Sequence, residues 1–222
     1  MTTLAKPQAR SDATAARLRA DIIDEVLAPG AALAEATVAR RLGVSRVPVR
    51  EALFTLEREG LVDFTPTGRA YVKTLTAQDY HELYVMRLTL EPPAARLAAR
   101  QLREHPEALL ENVAATARAK SILDITRLDL EFHELIMVAS GNGRLLKVWR
   151  ALRWELGLWL GRLHRVHERQ TNGVRSETVR AHGELIERFR TQTPAACENL
   201  MRQHILGWHA WLPQAAATPD GA

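Results

Sequence analysis

The chain has 222 residues, 46% hydrophobic and 25% charged, with a formal net charge of +4, which excludes a wholly disordered polymer and allows one large or two small packed domains. Its single cysteine, Cys197, excludes an intrachain disulfide and a thiolate metal cluster. The polar opening MTTLAKPQARSDATAARLRA reads as no signal peptide and no stretch reaches membrane-spanning length, so a cytoplasmic location without a membrane partner is expected.

Residues 1–12 and 213–222 read as polar or Ala/Pro/Gly-rich flexible tails. A first helix is predicted from about Thr14 to Leu27, closed by Pro29-Gly30, and a second over Glu35 to Leu42 with Val38, Ala39 and Leu42 inward. Gly43-Val44-Ser45 then forms a tight turn in which glycine supplies the left-handed conformation, Ser45 caps a third helix, and Pro48 is tolerated in its first turn. In that helix Val49, Leu53 and Leu56 point inward, which leaves Arg46, Val47, Arg50 and Glu51 outside near the N-terminus, where a recognition helix meets the major groove. Arginine suits that place because its planar fork bonds guanine O6 and N7 together.

Leu61 to Phe64 and Ala70 to Val72 predict a small hairpin around Pro66-Thr67-Gly68, with Arg69 at its tip and Lys73 behind it facing phosphates or the minor groove. From there about six amphipathic helices follow, punctuated at His105-Pro106, Ser140 to Gly143, Asn172-Gly173 and Thr193-Pro194. The predicted fold is mainly α: a winged helix-turn-helix over residues 13–75, then an all-α antiparallel helical bundle over residues 76–212.

Polar residues on the core stripes of those later helices are the informative ones, because burying an unpaired charge is costly. Arg87 interrupts the series Tyr80, Leu83, Leu90, Ala94, Leu97 in a helix expected to kink at Pro92-Pro93. Asp129 and His133 sit one turn apart among Ile125, Phe132 and Ile136. His182 lies with Val179, Ile186 and Phe189, and His204 with Cys197, Met201, Trp208 and Trp211. A carboxylate and an imidazole at i, i+4 make a natural pair of metal ligands, and two further histidines complete a nitrogen-rich site for a divalent ion, zinc first with nickel or manganese as alternatives. Arg87 is placed to grip the carboxylate of a small organic-acid effector bidentately. His164 and His167 are read as exposed near a helix end at Gly161, and Trp149, Trp154 and Trp159 as core.

The run LAEATVARRLGVSRVPVREALFTLEREGLVDFTPTGRAYV resembles the winged helix-turn-helix of the GntR family of bacterial regulators, whose Ser-Arg-x-Pro-x-Arg-Glu-Ala-Leu hallmark stands here from Ser45 to Leu53. The resemblance implies operator contacts by Ser45, Arg46 and Arg50 and by Gly68 at the wing tip. Two departures accompany it: Ala36 stands where some members carry a DNA-contacting arginine, and the usual Arg-Gly order of the wing is Thr67-Gly68-Arg69 here. LYVMRLTLEPPAARLAARQL, LDLEFHELIMVASGN, AHGELIERF and ENLMRQHI resemble the FCD ligand-sensing domain of FadR-type members, and the helix count suggests the VanR-like subgroup. That resemblance implies metal ligation by Asp129, His133, His182 and His204 and effector contact by Arg87.

The expected function is therefore that of a homodimeric, ligand-responsive regulator of transcription, most simply a repressor released from an inverted-repeat operator in double-stranded DNA when an organic acid binds, and not an enzyme. Two rivals stand beside it. One is a metal-dependent hydrolase with Glu131, Glu134 or Glu184 as base; the other is a regulator whose helical domain only dimerises.

Overall fold

The computed structural model describes residues 7–208. Compactness divides the chain between Thr74 and Leu75 into two units. The first holds α1 (Pro7–Ile23), α2 (Glu35–Leu42), α3 (Arg46–Arg58), β1 (Val62–Phe64) and β2 (Ala70–Val72). Its core is the meeting of Leu18 and Ile22 of α1 with Val49, Leu53 and Leu56 of α3, Leu33, Leu61 and Val72, all essentially without solvent contact. The antiparallel hairpin pairs Val62 with Val72 and Phe64 with Ala70. The segment before α2 joins it: Ala32 bridges Tyr71, and the Leu33 amide donates to the Ala70 carbonyl at 2.8 Å.

Two boundaries of α1 differ from expectation. Residues 7–12, read as part of a tail, are helical, because the buried face of α1 begins with polar Ser11 and Thr14 and continues through Ala15, Leu18 and Ile22. A search for apolar residues alone starts that face late. The helix also stops at Ile23, and Glu25 takes a positive φ just beyond it. The expected tail at 213–222, and Trp211, lie outside the described residues.

Among the described residues, six helices make the second unit: α4 (Ala77–Glu104), α5 (Glu107–Arg118), α6 (Ile122–Ala139), α7 (Gly143–Thr171), α8 (Val174–Thr191) and α9 (Pro194–Gly207). Their starts are written in the sequence. Thr76 and Asp79 form a reciprocal capping box on α4, and Ser121, Asn142 and Thr193 accept main-chain amides at α6, α7 and α9, each such cap contributing about 1 kcal/mol. Helix α4 packs against α6, α7, α8 and, most extensively, α9.

Pro92 and Pro93 sit inside α4, where a proline typically costs about 3 kcal/mol, yet one helix runs through both. Burial of Ala94, Ala95, Ala98 and Ala99, none with solvent contact, offsets that cost. Leu97, expected inward, is 52% exposed, so beyond the prolines these alanines and Leu102 form the buried face instead.

Helix α7 is also longer than expected, running 29 residues through Gly161, because tertiary packing outweighs the weak helix propensity of glycine. Trp149 and Trp159 are buried on it as core, with the Trp159 indole donating to the Tyr80 carbonyl of α4 at 3.1 Å, while Trp154 is only half-buried. His164 and His167, read as exposed, are therefore interior.

Candidate functional site

In the first unit the N-terminal half of α3 is an exposed, basic surface. The turn before it closes as expected, with Gly43 at φ +66° and its amide bonded to the Ala39 carbonyl. Ser45, Arg46, Val47 and Arg50 all face solvent, Val47 at 65% exposure. Ser45 occupies the capping position but its hydroxyl makes no capping hydrogen bond, so the first turn of α3 is entered by backbone geometry and the hydroxyl faces outward.

Arg46 and Arg50 are not independent. Arg50 donates to both carboxylate oxygens of Glu35, Nε to Oε1 at 2.7 Å and Nη2 to Oε2 at 3.0 Å, and Arg46 Nη2 reaches Oε2 at 3.2 Å. The Arg50 hydrogen bond holds the Glu35 carboxyl below the usual range despite some desolvation. Glu35 escaped the sequence reading; its place at the start of α2, across the turn from α3, was the available signal. At the wing, Thr67, Gly68 and Arg69 are all exposed, and the turn is locked by Thr65, which accepts the Gly68 and Arg69 amides through its carbonyl and hydroxyl at 2.8 and 3.0 Å. Gly68 adopts φ +78°, a conformation that disfavours any side chain.

In the second unit, four helices deliver five polar side chains to one interior spot. Arg87 of α4, Asp129 and His133 of α6, and His182 of α8 are each at most 2% exposed. His204 of α9 is partly exposed, but its Nε2 lies 3.3 Å from His133 Nε2. His133, His182 and His204 each offer a ring nitrogen within 4.8 Å of the others, and Asp129 Oδ1 lies 3.5 Å from His133 Nε2. His182 is held by stacking on Phe132, ring centroids 3.8 Å apart.

Two residues not singled out from the sequence complete the spot. His164 of α7 places Nε2 3.3 Å from Asp129 Oδ2 while its Nδ1 meets the Thr126 hydroxyl at 2.9 Å. Glu91, one turn beyond Arg87, accepts from Arg87 Nε and Nη2 at 2.9 and 3.1 Å and from the Trp149 indole at 3.1 Å. One edge of the Arg87 guanidinium is thus already committed to a carboxylate of the chain itself.

Burial pushes the His182 imidazole down to about 3, against the pull of Asp129. Burial, with His133 and His182 alongside, also lowers His204 well below the ordinary imidazole value. Both rings are neutral at physiological pH and keep a lone pair for a ligand. Burial works against ionisation of Asp129 and Glu91. It is outweighed at Asp129 by the His164 contact and the neighbouring imidazoles and at Glu91 by Arg87 and His133, so both carboxyls titrate well below their usual range.

The donor set fits a divalent cation on the structure's own terms. Asp129 Oδ1 and both nitrogens of His182 are buried with no hydrogen-bond partner among the described residues. Such atoms cost roughly 1 to 3 kcal/mol apiece unless something satisfies them. Arg87, Glu91 and Asp129 together leave one buried negative charge, which a cation offsets. A cleft of about 500 Å³ between α8 and α9 is lined by His204, His167, Arg188 and Trp208, so His204 is the member of the cluster that borders it. The glutamates named as hydrolytic bases are engaged elsewhere: Glu134 with Arg150 and Arg153, Glu131 with Arg127, and Glu184 with Arg180.

Residues 10–72 match the gntR family of bacterial regulatory proteins and residues 82–207 match the FCD domain. The HTH-type transcriptional regulator YdhC of Bacillus subtilis is 33% identical over 58% of this chain and 60% of its own length. The HTH-type transcriptional repressor RspR of Escherichia coli is 33% identical over 54% of each chain. The chain thus spans less than two thirds of the length of these curated relatives. The fold matches that of a GntR transcriptional regulator from Rhodococcus sp. RHA1, with a TM-score of 0.74 at 22% identity, covering 92% of this chain and 97% of that one.

Proposed function

The chain belongs to the GntR family of bacterial regulatory proteins and carries an FCD domain, and on that premise we propose that it is a transcriptional regulator rather than an enzyme, specifically a metal-containing, ligand-released repressor. The homologue RspR carries the name of repressor, which supports that direction of control.

In this reading two copies of the chain form a homodimer in the cytoplasm, and their α3 helices read the halves of an inverted repeat. Ser45, Arg46, Val47 and Arg50 meet base edges and phosphates, and Thr67, Gly68 and Arg69 follow the backbone at the wing. Asp129, His133, His182 and His204 hold a divalent ion, zinc first among the candidates and nickel or manganese next. When bound, the ion supplies a cationic anchor with positions open to an anionic ligand. Arg87 orients the ligand's carboxylate through the guanidinium edge that Glu91 leaves available. The effector acts only if it favours one arrangement of the dimer over another.

The observation that carries this reading is the convergence of one carboxylate and three imidazoles, two of them held neutral and several of their polar atoms unsatisfied, inside a unit joined to a DNA-binding one. Metal analysis of the purified full chain, together with mobility shifts on DNA flanking its gene and a thermal-shift screen of small organic acids, tests it. The expected outcome is about one divalent ion per chain, a discrete shifted complex, and its dissolution by an acid that also raises the melting temperature. A chain that takes up no metal from zinc, nickel or manganese leaves the helical unit as a scaffold only.

A further inference from the structure

Glu91 makes more contacts in the buried cluster than a salt-bridge partner needs. Its two oxygens accept from Arg87 and from the Trp149 indole, and Oε2 also lies 2.8 Å from His133 Nδ1, at an oblique approach that leaves Nδ1 without a formed hydrogen bond until the ring turns slightly toward it. The opposite ring nitrogen, His133 Nε2, faces Arg87 Nη2 at 3.0 Å, His204 Nε2 at 3.3 Å and Asp129 Oδ1 at 3.5 Å. A guanidinium can only donate and a carboxylate can only accept. The Arg87 contact at 3.0 Å is closer than Asp129 at 3.5 Å, so the proton of a neutral His133 ring belongs on Nδ1, toward Glu91, and the lone pair on Nε2, facing Arg87 with His204 and Asp129 beside it.

We propose that Glu91 is a positioning residue of the candidate metal centre: from α4 it fixes the tautomer and rotation of the His133 ring on α6, so that Nε2 is presented to the ion. This rests on the metal reading above and adds to it a residue outside the ligand set. A carboxylate behind a ligating imidazole orients the ring and raises its basicity. The same carboxylate ties Arg87 to His133, so one side chain sets both the ligand ring and the residue proposed to meet the effector. The Trp149 indole fixes the carboxylate in turn, since a ring 1% exposed on α7 has no room to turn away.

The test is a Co(II) titration of the full chain, followed by visible d–d absorption, in the wild type, Glu91→Gln, Arg87→Gln and the double variant. Wild type takes up Co(II) with a structured visible band. Glu91→Gln weakens uptake by about 10- to 100-fold and alters the band. Arg87→Gln, which breaks the ion pair but leaves Glu91 against His133, weakens it less. The double variant removes both members of the ion pair and leaves the net buried charge, that of Asp129, as it is in the wild type; it stays as weak as Glu91→Gln, and it decides the matter should the single variant fail to fold. Recovery of wild-type affinity in the double variant, or equal losses in the two single variants, means that Glu91 serves only the ion pair and overturns the proposal. A wild type that binds no Co(II) overturns the metal reading itself and Glu91's role with it. In the metal-free wild type, long-range proton–nitrogen NMR should find the His133 ring proton on Nδ1; a neutral ring protonated on Nε2 also overturns the assignment.

Discussion

Glu35 lies between Arg46 and Arg50 and bonds to both, with Arg50 Nε and Nη2 at 2.7 and 3.0 Å and Arg46 Nη2 at 3.2 Å. The two arginines expected to read bases are therefore oriented by one carboxylate before any DNA arrives, and their charge toward phosphate is partly offset. The two arginine side chains are well exposed and Glu35 is partly so, and the effect belongs to orientation more than to stability.

Replacing Glu35 by Gln is accordingly expected to leave the melting temperature nearly unchanged while binding to random DNA strengthens. The slope of log K against log salt should steepen by about one. Operator preference over random DNA should fall, as read in mobility shifts across a salt series. An unchanged preference would show that Glu35 does not orient the arginines.

Arg46→Ala and Arg50→Ala are each expected to weaken operator binding about 10- to 100-fold, with less effect on random sequence. Equal losses on both kinds of DNA would assign the arginines to phosphate contacts alone.

The metal-free protein should lose stability as the pH falls. His182 titrates near 3 in the folded chain against an ordinary value of 6.5, so below 6.5 the unfolded chain binds a proton that the folded one refuses. The stabilisation is present above 6.5 and drains away between 6.5 and 3, at up to about 1.4 kcal/mol per pH unit for such a histidine. His204 is shifted in the same direction and adds to the slope. Urea midpoints from pH 7 to 5 on chelator-treated protein measure it, and His182→Phe, which preserves an aromatic face on Phe132, should flatten it.

His164→Ala should destabilise the helical unit by about 2 to 4 kcal/mol, since it opens a cavity in a fully buried place and strips Asp129 of a neighbour. His164→Gln, which keeps an N–H donor, should recover part of that loss in denaturant melts.

Gly43→Ala should cost about 1 kcal/mol. The space beside it is open, with nothing within 4 Å of an added Cβ, so the whole cost is that of forcing a side chain to φ +66°. A neutral result in thermal unfolding would mean that the turn relaxes.

The sequence revealed elements where period and punctuation agree. Helix α2 and its Gly43 terminus, the inward stripe of α3 and the hairpin around Gly68 all follow from local rules, as do Asp129 and His133 one turn apart. His164 was hidden because Gly161 reads locally as a helix end, while packing along α7 decides otherwise. Glu91 carried a signal, four residues after Arg87 and hence on the same face, but a lone glutamate before two prolines reads as surface. The pairing of Ala32 with Tyr71 had no local signature, being a contact between distant segments.

The proposed metal ligands and Arg87 come from the first helix of the second unit and from its last, with α6 and α8 between. Only a fragment running from Arg87 to His204, most of the unit, encodes the whole site, so recombination that exchanges a smaller part of this unit transfers none of its specificity intact. A ligand held there also ties both ends of the unit's fold together. Fraying of α9 then empties the site, and occupancy of the site becomes a report that the unit is whole.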